Sequence, residues 1–374
     1  MDAPEFRYSC TPPIQRSTLF AIARNFLTAG DILAVVPHGS GHVHDTYRAT
    51  LSDGTAIILQ RINDRVFRDV PRLMENIARV TNHLRAKLGD PSREAMSLVS
   101  TRSGDSFLRD GNGHAWRAFR FIDGARTYQT CTRPELAREA ARVAGRFQNL
   151  LADLPAPRLH ETIPHFHDTP HRLRLLEKAI DADVAKRGSD TSAEIDFVLA
   201  RRNLAPVITE LLRDGRIPER VTHNDTKLNN VLFDTETDRG LCLVDLDTCM
   251  PGSALYDFGD MVRTMTTEAA EDEQDLSKVE MDINRFEALT RGYLETTRSF
   301  LTDTERDHLA MAGRLLTFTI GIRFLTDYLS GDVYFKTHRP AQNVDRCRTQ
   351  FKLVESMERQ AKRMQDVVNA HSAG

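Results

Sequence analysis

The chain has 374 residues, 40% of them hydrophobic and 28% charged, with a formal charge of −3, an ordinary composition for a folded protein of about two domains. That balance supplies no positive field for nucleic acid, no apolar run approaches the ~20 residues of a membrane helix, and the opening MDAPEFRYSC has no apolar signal core. Five scattered cysteines without a C-x-x-C pair (Cys10, Cys131, Cys242, Cys249 and Cys347) exclude a disulfide frame or zinc knuckle and predict reduced thiols in a cytoplasmic protein.

Leu19, Phe20, Ala23, Phe26 and Leu27 space a helix over 16–27. Strands follow at 32–37, 46–51 and 56–62, the last two joined by Ser52-Asp53-Gly54-Thr55, a hairpin signal. Between the first two lies His38-Gly39-Ser40-Gly41-His42. A glycine loop between strands is neither a Rossmann fingerprint nor a P-loop, which need strand–loop–helix. It suits backbone approach to phosphates in a kinase-type hairpin, or is an ordinary tight turn. A kinase-type third strand carries a phosphate-holding lysine, yet no lysine precedes Lys87. The strand AIILQRIN offers Arg61, with Gln60 on the opposite face. A helix over 70–88 places Glu75 as the expected partner of Arg61, unless both are solvated charges. Strands at 98–100, 107–109 and 116–122 complete a sheet lobe over residues 1–122.

After Asp123-Gly124 the pattern turns helical, giving a large lobe over 123–374. Thr132 and Glu135 predict a capping box for a helix with Leu136, Ala140, Val143, Phe147 and Leu150 on its apolar stripe. Further helices are expected at 171–186, 193–213 (kinked or split by Pro206), 276–297, 303–329 and 345–368, with Thr302 and Glu305 repeating the box. His165, His167, Asp168 and His171 are expected to be surface groups rather than a metal site. The acidic run 267–275 is expected to be a solvated loop.

Only 221–247 breaks the helical run. VTHNDTKLNNVLFD sets His223, Asp225, Lys227 and Asn230 in the spacing of a kinase catalytic loop, followed by an apolar strand. Asp225 would accept the proton of an attacking hydroxyl. Lys227 would reach the transferred phosphoryl group, and the Asn230 amide oxygen suits Mg²⁺. His223 would brace the loop. GLCLVDLDT then brings Asp245, and Asp247 as a second ligand, to the same ion. Any one of these residues alone fits a polar turn. The ordered set points to phosphoryl transfer.

The tracts THNDTKLNNVLFD, CLVDLDTCMPGSALYDFGDMVR and RFLTDYLSGDVYFKTHRPAQNVDRCRTQF resemble the aminoglycoside phosphotransferase-like kinases. With GHVHDTYRATL and ILQRIN, the chain looks most similar to the N-acetylhexosamine 1-kinases, over about residues 39–358. The resemblance implies an α+β, bilobal protein-kinase-like fold using ATP and Mg²⁺. The product would be the 1-phosphate of N-acetylglucosamine or N-acetylgalactosamine. It implies Asp225 as base, Asn230 and Asp245 as metal ligands, and Asp257 as the brace beneath the loop. Arg323 and Tyr334 match positions near the sugar, with His42 and Asp45 similarly placed. Gly39, Ser40, Gly41, Arg61 and Glu75 would serve the nucleotide, whose adenine would sit between the lobes near Phe119–Ile122, beside Phe121. The expected protein is a monomer or weak dimer that binds ATP and a sugar, and neither nucleic acid nor membrane. A kinase for another small hydroxylated metabolite (an aminoglycoside, choline or homoserine) shares the same core. The missing lysine also leaves open a nucleotide-binding pseudokinase.

Overall fold

A computed structural model describes residues 14–26, 30–39, 43–89 and 93–372. The chain separates into two units: the described residues of Tyr8–Ala125 with Leu154–Ile163, and Arg126–Asp153 with the described residues of Pro164–Gly374. The division thus falls at 125/126 rather than 122/123, and Leu154–Ile163 returns to the sheet unit. Asn76 shows why. Fully buried, its amide donates to the His160 carbonyl at 2.8 Å and accepts from the His160 N–H at 3.0 Å.

The sheet unit contains α1 (Arg16–Arg24), β1 (Ile32–Pro37), β2 (Asp45–Leu51), β3 (Ala56–Arg61), α2 (Val70–Leu88), β4 (Leu98–Val99), β5 (Leu108–Arg109) and β6 (Ala115–Arg120). Its strands form one antiparallel sheet in the order β1-β2-β3-β6-β4, with β5 also on β6. The turn between β2 and β3 forms because Gly54 takes φ 85° while Asp53 Oδ1 accepts from Thr55 N–H at 2.9 Å and Thr55 Oγ1 at 2.7 Å. That turn fixes the register, setting Asp45 opposite Arg61. Leu19, Ile22 and Ala23 of α1 share a core with Val35, Leu51, Leu59 and Trp116 of the sheet. The Asp69 carboxylate caps α2 by accepting from Arg72 N–H at 3.1 Å.

β7 (Ala125–Arg126) spans the division. The helical unit continues with α3 (Pro134–Leu151), α4 (Thr169–Ala182), α5 (Ser192–Arg201), α6 (Val207–Arg213), β8 (Arg220–Thr222), β9 (Val231–Asp234), β10 (Gly240–Leu243), β11 (Met250–Gly252), α7 (Ala254–Met265), α8 (Ile283–Thr297), α9 (Asp303–Asp307), α10 (Leu309–Leu329), α11 (Gln342–Arg359) and α12 (Ala361–Ser372). Pro206 splits the expected 193–213 helix into α5 and α6. The expected 303–329 helix breaks at His308 into α9 and α10. The capping box forms at Thr302, whose hydroxyl accepts from Glu305 N–H at 3.2 Å while Glu305 accepts from Thr302 N–H at 2.8 Å. It does not form at Thr132, because α3 starts one residue later, with Arg133 as an N-cap that makes no side-chain bond.

Against the sequence expectation, α10 is long and apolar enough to cross a membrane by length and composition. Most of that stretch is buried inside the unit, where α10 packs on α4, α7 and α11; it is a core helix. α3 and α8 approach closely at two glycines. A Cβ on Gly292 would stand 2.1 Å from Arg138 O, and one on Gly145 would stand 2.4 Å from Thr296 Oγ1. Gly292→Ala is therefore expected to cost roughly 1–3 kcal/mol through overpacking. A urea titration checks this as a lower midpoint at unchanged slope.

Candidate active site

The polar tract is pinned at both ends. β8 pairs with β11, Thr222 opposite Met250 and Val221 opposite Pro251. β9 pairs with β10, Val231 opposite Leu243, and Val244 N–H then donates to Asn230 O at 2.8 Å. Asn230 is thereby a cross-strand neighbour of the residue preceding Asp245. Below the loop, Asp257 on α7 is fully buried and accepts from His223 N–H at 3.0 Å, Asn224 N–H at 2.6 Å and Gln148 Nε2 at 2.6 Å. Burial pushes its carboxyl up, and those hydrogen bonds oppose the shift. Thr226 Oγ1 donates to the Asp257 carbonyl at 2.7 Å. His223 Nε2 bonds Val244 O at 3.0 Å, and its Nδ1 accepts from Asp225 N–H at 3.3 Å. These bonds tie the loop to the end of β10. Asn224 and Asp245 take φ 64° and 65°, a left-handed conformation that short polar side chains tolerate.

His167 corrects the sequence reading. It is 5% exposed, not a surface group, and its Nε2 bonds the Asn224 carbonyl at 2.9 Å. Burial lowers its pKa to about 3, so the ring is neutral near physiological pH. No local pattern announces this role, since the partner is a backbone carbonyl far away in sequence. His165, by contrast, is exposed; its Nδ1 bonds Asp168 at 2.9 Å and its ring stacks on His171.

The two oxygens of Asp225 differ. Oδ2 accepts from Lys227 Nζ at 2.9 Å and from Asn230 Nδ2 at 2.9 Å. Oδ1 accepts no hydrogen bond among the described residues, in a side chain that is 25% exposed. Burial alone would raise this carboxyl, but the Lys227 ammonium outweighs it and holds the group below its ordinary value. Burial likewise opposes the charge on Lys227, while Asp225 and Asp245 raise its pKa, so the ammonium persists. Asn230 Nδ2 also donates to Asp225 O at 2.9 Å. With its nitrogen so engaged, Asn230 Oδ1 is the amide atom left for a cation. Carboxylate oxygens of Asp245 and Asp247 lie within 4.8 Å of each other. Hard oxygen donors of this kind suit Mg²⁺.

Arg323 and Tyr334 also come together in the helical unit. Arg323 donates to Tyr334 Oη at 3.4 Å, and its guanidinium lies 4.8 Å from the Phe166 ring and 5.5 Å from Phe335. Asp327 orders the segment that presents Tyr334, accepting from the N–H groups of Val333, Tyr334 and Phe335 at 2.9, 2.7 and 2.9 Å.

In the sheet unit, Asp45 and Arg61 bond each other, Arg61 Nε to Asp45 Oδ2 at 2.7 Å. Glu75 instead bonds His160 Nε2 at 2.9 Å. The expected Arg61–Glu75 pair is thus corrected, because the hairpin register brings Asp45 to Arg61. Gln60 faces away, bonding Thr46 and Arg117. Gly39 follows β1 with φ 75°; Ser40, Gly41 and His42 lie outside the described residues. The Phe121 ring lies under the Arg48 guanidinium at 4.2 Å and helps to line a hollow of about 400 Å³ with Arg93, Ser97, Arg120 and Ile122.

Residues 34–293 match the family described as APH, phosphotransferase enzyme family. Among solved structures, the chain is similar to a choline kinase from Cryptosporidium parvum (14% identity, 96% of this chain and 99% of that one, TM-score 0.59). It is also similar to a spectinomycin phosphotransferase in complex with ADP and spectinomycin (12%, 94% and 99%, TM-score 0.58). A third is a microcompartment-associated aminopropanol kinase (16%, 92% and 98%, TM-score 0.54). These likenesses show a bilobal α+β kinase-like fold.

Proposed function

The chain belongs to the phosphotransferase enzyme family, and from that premise we propose that it transfers the γ-phosphoryl group of ATP to the anomeric hydroxyl of an N-acetylhexosamine. The asymmetry of Asp225 carries the reading. Lys227 and Asn230 hold Oδ2 and leave Oδ1 for an incoming hydroxyl. Asp225 Oδ1 orients that hydroxyl and takes its proton as the O–P bond forms. Lys227 stays cationic beside the transferred group. A divalent cation on Asn230, Asp245 and Asp247 would offset phosphate charge. His223 and Asp257 hold the loop in place. Gly39, Arg61 and Phe121 are assigned to the nucleotide, and Arg323 and Tyr334 to the sugar, whose hydroxyls need donors and acceptors. The resemblance of the sequence tracts to the N-acetylhexosamine 1-kinases supports this choice of acceptor.

Choline, spectinomycin and aminopropanol appear in the names of the similar proteins, so another small alcohol is the second reading. One experiment separates the two. The protein is incubated with MgATP and, in turn, N-acetylglucosamine, N-acetylgalactosamine, choline, homoserine and an aminoglycoside. Phosphorus NMR then identifies the product. A sugar 1-phosphate formed only with an N-acetylhexosamine is expected. Phosphocholine or a phosphorylated aminoglycoside as the main product would overturn the sugar assignment.

A further inference from the structure

Arg172, on α4, is a second guanidinium beside Arg323. Its Nε and one terminal nitrogen donate to the Phe166 carbonyl at 3.3 and 3.0 Å, while Arg323 lies over the Phe166 ring at 4.8 Å. Phe166 immediately precedes His167, so both cations sit against the segment that bonds the catalytic loop at Asn224 O. Arg172 is half-buried. Neither arginine has a carboxylate hydrogen-bonded or ion-paired to it among the described residues. The nearest candidate, Asp168, is occupied by His165 Nδ1 at 2.9 Å and His171 N–H at 2.9 Å. Burial and the Arg323 charge, only partly opposed by the Asp168 carboxylate, lower the Arg172 pKa to about 9, which leaves it cationic near neutrality.

Two partly desolvated like charges repel, and such a pair, with no carboxylate bonded directly to either guanidinium, is stabilised by an oxygen acceptor from outside. The wall around it is apolar and aromatic: Phe166, Tyr334 and Phe335 each present a ring within 5.6 Å of the Arg323 guanidinium. A guanidinium fork matches a carbonyl or carboxylate oxygen, whereas an ammonium would meet two positive groups.

We propose that Arg172 joins Arg323 in a specificity subsite that takes an acceptor bearing a carbonyl or carboxylate oxygen and turns away one bearing an ammonium group. This deepens the assignment of the site to an alcohol kinase and rests on it. Arg172 selects the acceptor; it takes no part in the proton or phosphoryl transfer.

The test compares N-acetylglucosamine with glucosamine, held where its amine is protonated. Wild-type protein is expected to favour the acetamido sugar in kcat/KM by at least about tenfold, through KM, from repulsion in a partly desolvated site. Arg172→Gln should narrow that ratio by about the same factor, and Arg172→Lys should preserve it. Raising ionic strength should also narrow the wild-type ratio by screening the ammonium, a measurement that stands even if Arg172→Gln fails to fold. A ratio indifferent to both salt and Arg172→Gln overturns the subsite while leaving the sugar assignment intact. Phosphorylation of a neutral or acidic alcohol instead of any hexosamine ends the sugar assignment and supports the subsite. Efficient turnover of choline or an aminoglycoside overturns both.

Discussion

Asp225→Asn is expected to lower kcat by roughly 10²–10⁴-fold, the usual range for removing a general base, with nucleotide affinity changed little. The substitution preserves shape and reverses one atom's role. Oδ2 of Asp225 is bound by two donors, Lys227 Nζ and Asn230 Nδ2, so the new amide must turn its oxygen toward them. Its NH₂ then occupies the place of Oδ1. An acceptor aimed at the incoming hydroxyl becomes a donor that cannot take a proton. Lys227 loses one carboxylate partner but keeps the support of Asp245, so its ammonium remains. ADP release in the presence of sugar measures the first effect, and calorimetric titration with MgATP measures binding. Turnover within a few-fold of wild type would remove Asp225 from the role of base.

The residues of this loop were legible in the sequence because they are local. His223, Asp225, Lys227 and Asn230 lie within eight positions, followed by the apolar β9, and a short hairpin then returns the chain to Asp245. The sheet unit was legible for the same reason, since alternation and an Asp-Gly turn specify neighbouring strands. What escaped was set at a distance. α7 was missed although Leu255, Phe258, Val262 and Met265 fall at helical spacing; its Asp257 was reached only through the resemblance. His167 and Arg172 bond backbone carbonyls, which carry no sequence signature. The Arg61–Glu75 pairing was avoidable. Counting back from the Asp53-Gly54 turn places Asp45 opposite Arg61, and a carboxylate directly across a strand pair is closer than one on the following helix.

Asp257→Ala is expected to combine the largest loss of stability with a loss of activity. The carboxylate is fully buried and serves three donors, two of them consecutive backbone N–H groups of the catalytic loop. Alanine leaves all three without that partner where water does not reach. At about 1–3 kcal/mol for each abandoned buried donor, partly offset by relaxation, the net cost is ~3–5 kcal/mol. Denaturant unfolding of the whole chain reads this directly. Well below the melting midpoint the variant should still bind nucleotide, because Asp257 touches none of the groups assigned to it. Its kcat should nonetheless fall, since His223 and Asn224 no longer fix the path of the chain into Asp225. Asp257→Asn separates the two effects. One amide oxygen can still accept from Asn224 N–H or from the His223–Gln148 pair, so stability should be partly restored. The amide nitrogen then opposes a donor, and the loop stays displaced. An Asn variant as active as wild type would show that the carboxylate's two oxygens are not what positions the loop.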